Sequence, residues 1–375
     1  MRILFLAPKV NLDTPSGGTL HYTDLTESMS RINRNDDVYL IASGKNNTKK
    51  RKGNLTVIVR KDIDTSFIRL RRDVKKIQNI NSIISEIDPD FLYFRTEPFE
   101  LFPAFLETKA SSMIEISYNL FAKSYDVSRL ISVLWPVRNA ALSIWMKSAV
   151  KNFDCVITVS ESNRKSLERR IDKKIYVIGT GANTRKVKMR QSSRNPDRII
   201  FVGNSLKYQG VHVLLEASRI LTTRDVNHEV WIVGKYDKSR YKAATNVKFL
   251  GPLPNKEALS AMTRCSIGTA SYLEAKNEPY GFSPVKILEY MAAGLAVVAT
   301  DTEWNRELIK KKNGLLFRSG DAEDLAAKLE GLLKNRQKLA DIQAANRSEA
   351  RGVQNWDEKA RELTRIIKAA TNARK

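Results

Sequence analysis

Residues 278–300 read EPYGFSPVKILEYMAAGLAVVAT: a loop with proline and glycine, an amphipathic helix, a glycine and a short apolar strand. Ser283 is a good N-cap and Pro284 a good first helical residue, so the helix is expected to open there. Its first backbone N–H groups then lack partners inside the helix and can hold an anion such as a diphosphate. Lys286 and Glu289, three residues apart, share one face. One reading makes them an ordinary i,i+3 ion pair. The other has Lys286 neutralise phosphate while Glu289 grips a diol, through charge-assisted hydrogen bonds of about 1.5–3 kcal/mol each. Spacing alone does not choose.

Working outward, apolar runs alternate with amphipathic stretches almost throughout, the pattern of parallel α/β units. Strands are expected at RILFLA, VYLIAS, LTVIVR, FLYFR, SMIEIS, CVITVS and IYVIG, with helices around Thr19–Arg31, Phe67–Ile87 and Val127–Lys151. The polar, basic stretch after Ile178 reads as a linker, and the pattern then restarts with RIIFVG, HEVWIVG, NVKFLG, CSIGTA, LAVVAT and GLLFR. The expected organisation is a first domain over 1–180, a linker over 181–197 and a second domain over 198–354. A last helix, about 355–375, is capped by Asn355 and expected to pack back on the first domain. Ligands of such sheets bind beyond the carboxyl ends of the strands, which points to the cleft between the domains.

The chain has 375 residues, long enough for two cores. It carries 42% hydrophobic and 28% charged residues, which excludes a disordered chain. No apolar run is long enough to span a bilayer, and the opening MRILFLAPKV reads as a strand rather than a signal peptide. Two cysteines, Cys155 and Cys265, exclude a disulfide framework, and three scattered histidines argue against a zinc site. Cytoplasmic residence is the default expectation. The outlier is a net charge of +23, which favours anionic partners.

GFSPVKILEYMAAGLAVVATDTEWNRELI, residues 281–309, resembles the donor segment of GT-B glycosyltransferases, most closely family 4. FVGNSLKYQGVHVLLEASRIL, NVKFLGPLPNKEALSAMTRCSIGTASY, NGLLFRSGDAEDLAAKLEGLL and NWDEKARE follow in family order. In the first half, SGGTLHYTDLTESM resembles the family's glycine-rich loop and VITVSESNRKSL its last strand–helix turn. The resemblance implies two Rossmann-like domains facing each other across a cleft. It also implies transfer of a sugar from a UDP- or GDP-linked donor to an acceptor hydroxyl. Retention of configuration is implied too, with the donor diphosphate helping to deprotonate the acceptor and with neither metal nor cofactor.

Residue by residue, the resemblance gives Glu289 the ribose hydroxyls. The family's other donor glutamate, eight residues earlier, falls on Gly281, with Glu278 nearby, so Lys286 is expected to take part of that contact. The family's basic pair is also altered: Gln209 precedes Gly210, leaving Lys207 as the nearest cation. Lys207 and Lys286 together would offset the diphosphate charge. Gly203, where the strand RIIFV ends, and Gly17-Gly18 would let backbone approach the ligand. Where many relatives carry a histidine, this chain has Ser117, which cannot act as a base near neutral pH. Glu115 and Asp13 are then the candidates for acid–base work. His21 is expected to be a solvated or packed histidine, and Glu307 either a cleft glutamate or a structural cap.

Cations around Arg69–Lys76 and the tryptophan-bearing stretch Val127–Lys151 suggest a first domain lying on an anionic membrane, with a lipid-linked or membrane-borne glycan as acceptor. Two rival readings are open. A nucleic-acid-binding protein rests on charge alone, lacks a recognition motif and is not expected. A catalytically inactive partner subunit rests on the departures just named. No GxGxxG follows a strand, which excludes a dinucleotide fingerprint.

Overall fold

Among the described residues thirteen of the fourteen strands run parallel within two separate sheets, and the connections between them are mostly helical. The computed structural model describes residues 1–14, 17–61, 63, 70–97, 100, 102–117, 135–187, 194–237, 241, 244–273, 285–352 and 354–374. The first sheet comprises β1 (Arg2–Asn11), β2 (Asp37–Ser43), β3 (Thr48–Lys52), β4 (Leu55–Arg60), β5 (Phe91–Arg95), β6 (Ser111–Glu115), β7 (Cys155–Thr158) and β8 (Ile175–Val177). Their spatial order is β3-β4-β2-β1-β5-β6-β7-β8, with only β3 antiparallel to its neighbour. The second sheet is built from β9 (Arg198–Val202), β10 (Glu229–Val233), β11 (Val247–Gly251), β12 (Ile267–Ala270), β13 (Ala296–Thr300) and β14 (Gly314–Phe317). Its order, β11-β10-β9-β12-β13-β14, reverses between β9 and β12, the switch point where a doubly wound sheet opens a crevice.

Continuous apolar runs form these strands because both faces of each sheet are covered. In the first domain one face is packed by Ile80, Ile84, Leu142 and Met146. The other is packed by Tyr22, Leu25 and Met29 of α1 (Gly17–Ile32). The second sheet has α2 (Val211–Thr223) on one face and α3 (Val285–Ala292) on the other.

The chain then returns. Helix α4 (Trp356–Arg374) begins where Asn355 Oδ1 accepts from the Glu358 N–H at 2.8 Å. It buries Trp356, Ala360, Leu363 and Ile367 against the α1 face of the first sheet. Among the described residues no helix is long and apolar enough to cross a membrane.

Two local features give no clear signal in the sequence. β3 (TKKRK) is fully exposed, and without apolar alternation it gives no strand signal; its cations suit an edge that must not pair further. The run after Ala322 is two helices, Ala322–Lys334 and Arg336–Arg351, because Asn335 caps the second by accepting from the Lys338 N–H.

Candidate functional site

The carboxyl ends of the two sheets face a cavity of about 360 Å³ between the domains. The first domain contributes Gly17, Gly18 and His21 of α1, then Arg95, Glu115, Ser117 and Thr180, which end or follow strands β5, β6 and β8. The second contributes Gln209, Tyr272, Val285, Lys286 and Glu289.

On the second-domain side, Lys286 and Glu289 do not pair with each other. Lys286 Nζ donates to Gln209 Oε1 and lies 4.5 Å from the ring centroids of both Phe201 and Tyr272. Burial lowers its ammonium to about 7, with Glu289 pulling the other way. Glu289 is half-buried and accepts from Asn255 Nδ2 at 3.1 Å. Burial raises its carboxyl to about 7, against the pull of the Asn255 hydrogen bond. A cation and a carboxylate are thus held apart on one helical face, each able to meet a separate part of a ligand. Gly203 makes room for this. A Cβ there would lie 2.9 Å from Gln209 Oε1 and 3.1 Å from Lys286 Nζ. The turn Lys207–Gln209 ends at Gly210, whose φ of +69° starts α2 and aims Gln209 inward.

Facing it, Glu115 sits 1% exposed among hydroxyl donors. Tyr93 Oη donates at 2.7 Å, and Tyr22 and Ser117 donate as well. Burial alone would raise this carboxyl, but His21, Arg95 and the Ser117 and Tyr22 hydrogen bonds outweigh it and hold it below its ordinary value. His21 Nε2 lies 3.9 Å from Glu115 Oε1, its ring meets Trp356 edge-on at 4.9 Å, and Thr180 Oγ1 is 3.5 Å from Nδ1. Burial lowers the imidazole, against the pull of Glu115. A neutral imidazole can accept a proton near neutral pH, whereas a carboxylate held low by neighbouring positive charge and hydrogen bonds is a weak base.

The structure brings Gly17, Gly18, Glu115, Lys286 and Glu289 together at the cavity, and Gly203 beneath Lys286. It places two other candidates elsewhere. Asp13 accepts from the Lys45 N–H at 2.6 Å in an exposed turn and does not line the cavity. Lys207 is exposed on the outer side of its turn, and Gln209 takes the position at the cavity. Ser283 and Pro284, like Gly281 and Glu278, lie outside the described residues. Glu307 accepts from the Ser162 N–H at 3.4 Å, at the start of the first-domain helix Glu161–Glu168, and so caps it across the domain boundary. Trp145 donates to the Glu100 carbonyl at 2.7 Å and packs against the first-domain core, so it is no surface anchor.

Sequence reasoning passed over Arg95, Thr180, Asn255 and Tyr272. Arg95 carried a signal, since it closes the strand FLYFR at the carboxyl end, where parallel sheets bind ligands. The others carried none, because their loops are brought to the cavity only by folding.

Residues 15–186 match the family model described as Glycosyltransferase Family 4, and residues 196–335 match that of Glycosyl transferases group 1. The phosphatidyl-myo-inositol mannosyltransferase of Mycolicibacterium smegmatis is 30% identical over 171 residues, covering 44% of this chain and 43% of that protein. The chain spans about half the length of the curated relatives it matches. Among solved structures, sucrose-phosphate synthase from Thermosynechococcus elongatus superposes with a TM-score of 0.80 at 14% identity, covering 99% of both chains. The Anabaena protein HepE, solved with UDP and glucose, superposes with a TM-score of 0.70 at 16% identity, over 98% of this chain and 100% of that one. With both halves matched in order and the two-sheet fold shared end to end, the chain belongs to the family 4-like glycosyltransferases of the GT-B fold.

Proposed function

We propose that this protein transfers a sugar from a nucleotide diphosphate sugar, UDP- or GDP-linked, to an acceptor hydroxyl, with retention of configuration. The observation that carries the reading is the Lys286–Glu289 face of α3, on which a buried cation and a half-buried carboxylate line one cavity yet do not pair. In this reading residues 198–354 bind the donor and residues 1–180 the acceptor, with 181–197 as linker. Lys286 meets the diphosphate, Glu289 the ribose hydroxyls, and Gly17 and Gly18 give the ligand close access to the start of α1. Lys286 would stabilise the charge that develops on the leaving diphosphate. The donor diphosphate helps take the acceptor proton, with His21 close by. No step in this scheme calls on Asp13 or Lys207.

The proposed acceptor is a glycan or lipid-linked acceptor at the inner face of the cytoplasmic membrane. Support comes from helix Trp135–Lys151 of the first domain, where exposed Val137, Ala140, Ala141 and Ile144 form a stripe that continues into Lys147 and Lys151. Val137 and Ile144 are 68% and 72% exposed.

The test is thermal stability against UDP, GDP, ADP, dTDP and CMP, for the native chain and Glu289→Ala. At about a hundred times its dissociation constant a ligand stabilises by roughly 2.7 kcal/mol. A shift with one nucleotide, lost in Glu289→Ala, identifies the donor base. Absence of any shift would leave an inactive partner subunit as the better reading.

A further inference from the structure

We propose that a second cavity, at the crossing of the two segments that join the domains, binds a phosphate-bearing anion. The chain passes between domains twice, and the passages pair: Ala182 bridges to Asn355, and the Trp356 N–H donates to the Ala182 carbonyl at 3.3 Å. Beside this crossing lies a cavity of about 440 Å³. Four guanidinium groups line it: Arg31 from the last turn of α1, Arg185 from the linker, Arg351 from the last second-domain helix and Arg361 from α4.

Among the described residues two carboxylates answer them. Asp357 accepts from Arg31 and from Arg185, each at 2.8 Å, and Glu358 accepts from Arg361. Among the described residues Arg351 makes no side-chain ion pair, and Arg31 Nε is buried without a hydrogen-bond partner. Two positive charges are therefore left over in a concave polar site. A guanidinium fork matches the oxygens of a phosphate group, and convergent forks bind it more specifically than scattered lysines do. The anion would bridge Arg351, on the second domain, to the N–H groups that Arg361, on the helix that packs on the first, does not give to Glu358, its Nη1 being the one so engaged. It would thereby fasten the crossing of the two segments. This inference is independent of the donor reading, because no residue is shared between the two cavities.

The experiment is titration calorimetry of the full chain with pyrophosphate. Three proteins are compared: native, Lys286→Ala, and the double variant Arg351→Glu with Arg361→Glu. The expected result is binding in the first two. The double variant should lose about a hundredfold, roughly tenfold for each charge-assisted contact removed. Both substituted residues are exposed, which favours a folded variant; should it fail to fold, Arg351→Gln alone is expected to weaken binding about tenfold. The proposal is overturned if pyrophosphate does not bind or binds the arginine variants as it binds the native chain. It is equally overturned if binding disappears in Lys286→Ala, which would assign the anion to the other cavity.

Discussion

Lys286 and Glu289 are each shifted by burial toward the same pH, and their effects on stability have opposite signs. Lys286 falls from 10.5 to about 7, so the unfolded chain holds more protons between those values. Stability from this group is fully present above 10.5 and is lost as pH falls through about 7. Glu289 rises from 4.5 to about 7, so its stability is present below 4.5 and is lost as pH rises through about 7. The ligand-free protein is therefore expected to show a stability minimum close to pH 7. Urea midpoints measured from pH 5 to 9 check this, and Lys286→Met should remove the rise on the alkaline side. Gly203→Ala is the second expectation at this scale. Its Cβ would crowd Gln209 and Lys286, while the backbone there is not left-handed. Overpacking of this kind costs about 1–3 kcal/mol. Nucleotide affinity should fall about tenfold or more while the fold survives, read by calorimetry beside circular dichroism. Glu289 and Lys286 were legible because a cap, a proline and a three-residue spacing announce a helical face. Gln209 was not, since it meets Lys286 from 77 residues away and a neutral amide carries no signal of its own.

Elements were read well where both faces are buried. The strands of the second sheet were each visible as apolar runs, because parallel strands covered by helices need no polar alternation. β3 was invisible for the opposite reason, and Asn335 concealed a break inside a composition that is helical on both sides. Gly210 shows how one residue governs an element. With φ at +69° it joins the Lys207–Gln209 turn to α2, and a Cβ there would stand 1.7 Å from the Ser271 carbonyl oxygen. Left-handed backbone costs a non-glycine residue roughly 1–2 kcal/mol, and the clash adds to it. Gly210→Ala should therefore destabilise by about 3 kcal/mol or more, seen as a lower urea midpoint, and should withdraw Gln209 from Lys286. A loss of less than about 1 kcal/mol would mean that the turn can relax, and that the inward aim of Gln209 does not depend on it.

At the scale of the molecule, the two domains meet through polar contacts that a single sequence cannot reveal. Ser162 donates to Glu303 at 3.2 Å and, through its N–H, to Glu307, while Lys186 of the linker binds Asp24 of α1. The net charge of +23 was legible at once, but its geometry was not. Around Arg69–Lys76, Arg69 and the side chains of residues 70–73 lie outside the described residues; in Val127–Lys151, residues 127–134 and the Trp135 side chain do, and Trp145 is packed inward. Of the first stretch Lys75 remains exposed, and the second keeps the stripe of Val137, Ala140, Ala141 and Ile144, backed by Lys147 and Lys151. An apolar stripe beside cations can sit at a lipid headgroup boundary, where each nearby cation adds about 1 kcal/mol on an anionic surface. Val137→Glu with Ile144→Glu would put two carboxylates where two apolar side chains should enter the lipid. Both residues are exposed, so thermal stability should change little. Sedimentation with phosphatidylglycerol vesicles should weaken about tenfold or more, with no binding of either protein to neutral phosphatidylcholine vesicles. Equal binding of native and variant chains to the anionic vesicles would show that charge alone holds the protein there, and the stripe would then have no part in presenting the cavity to a membrane-borne acceptor.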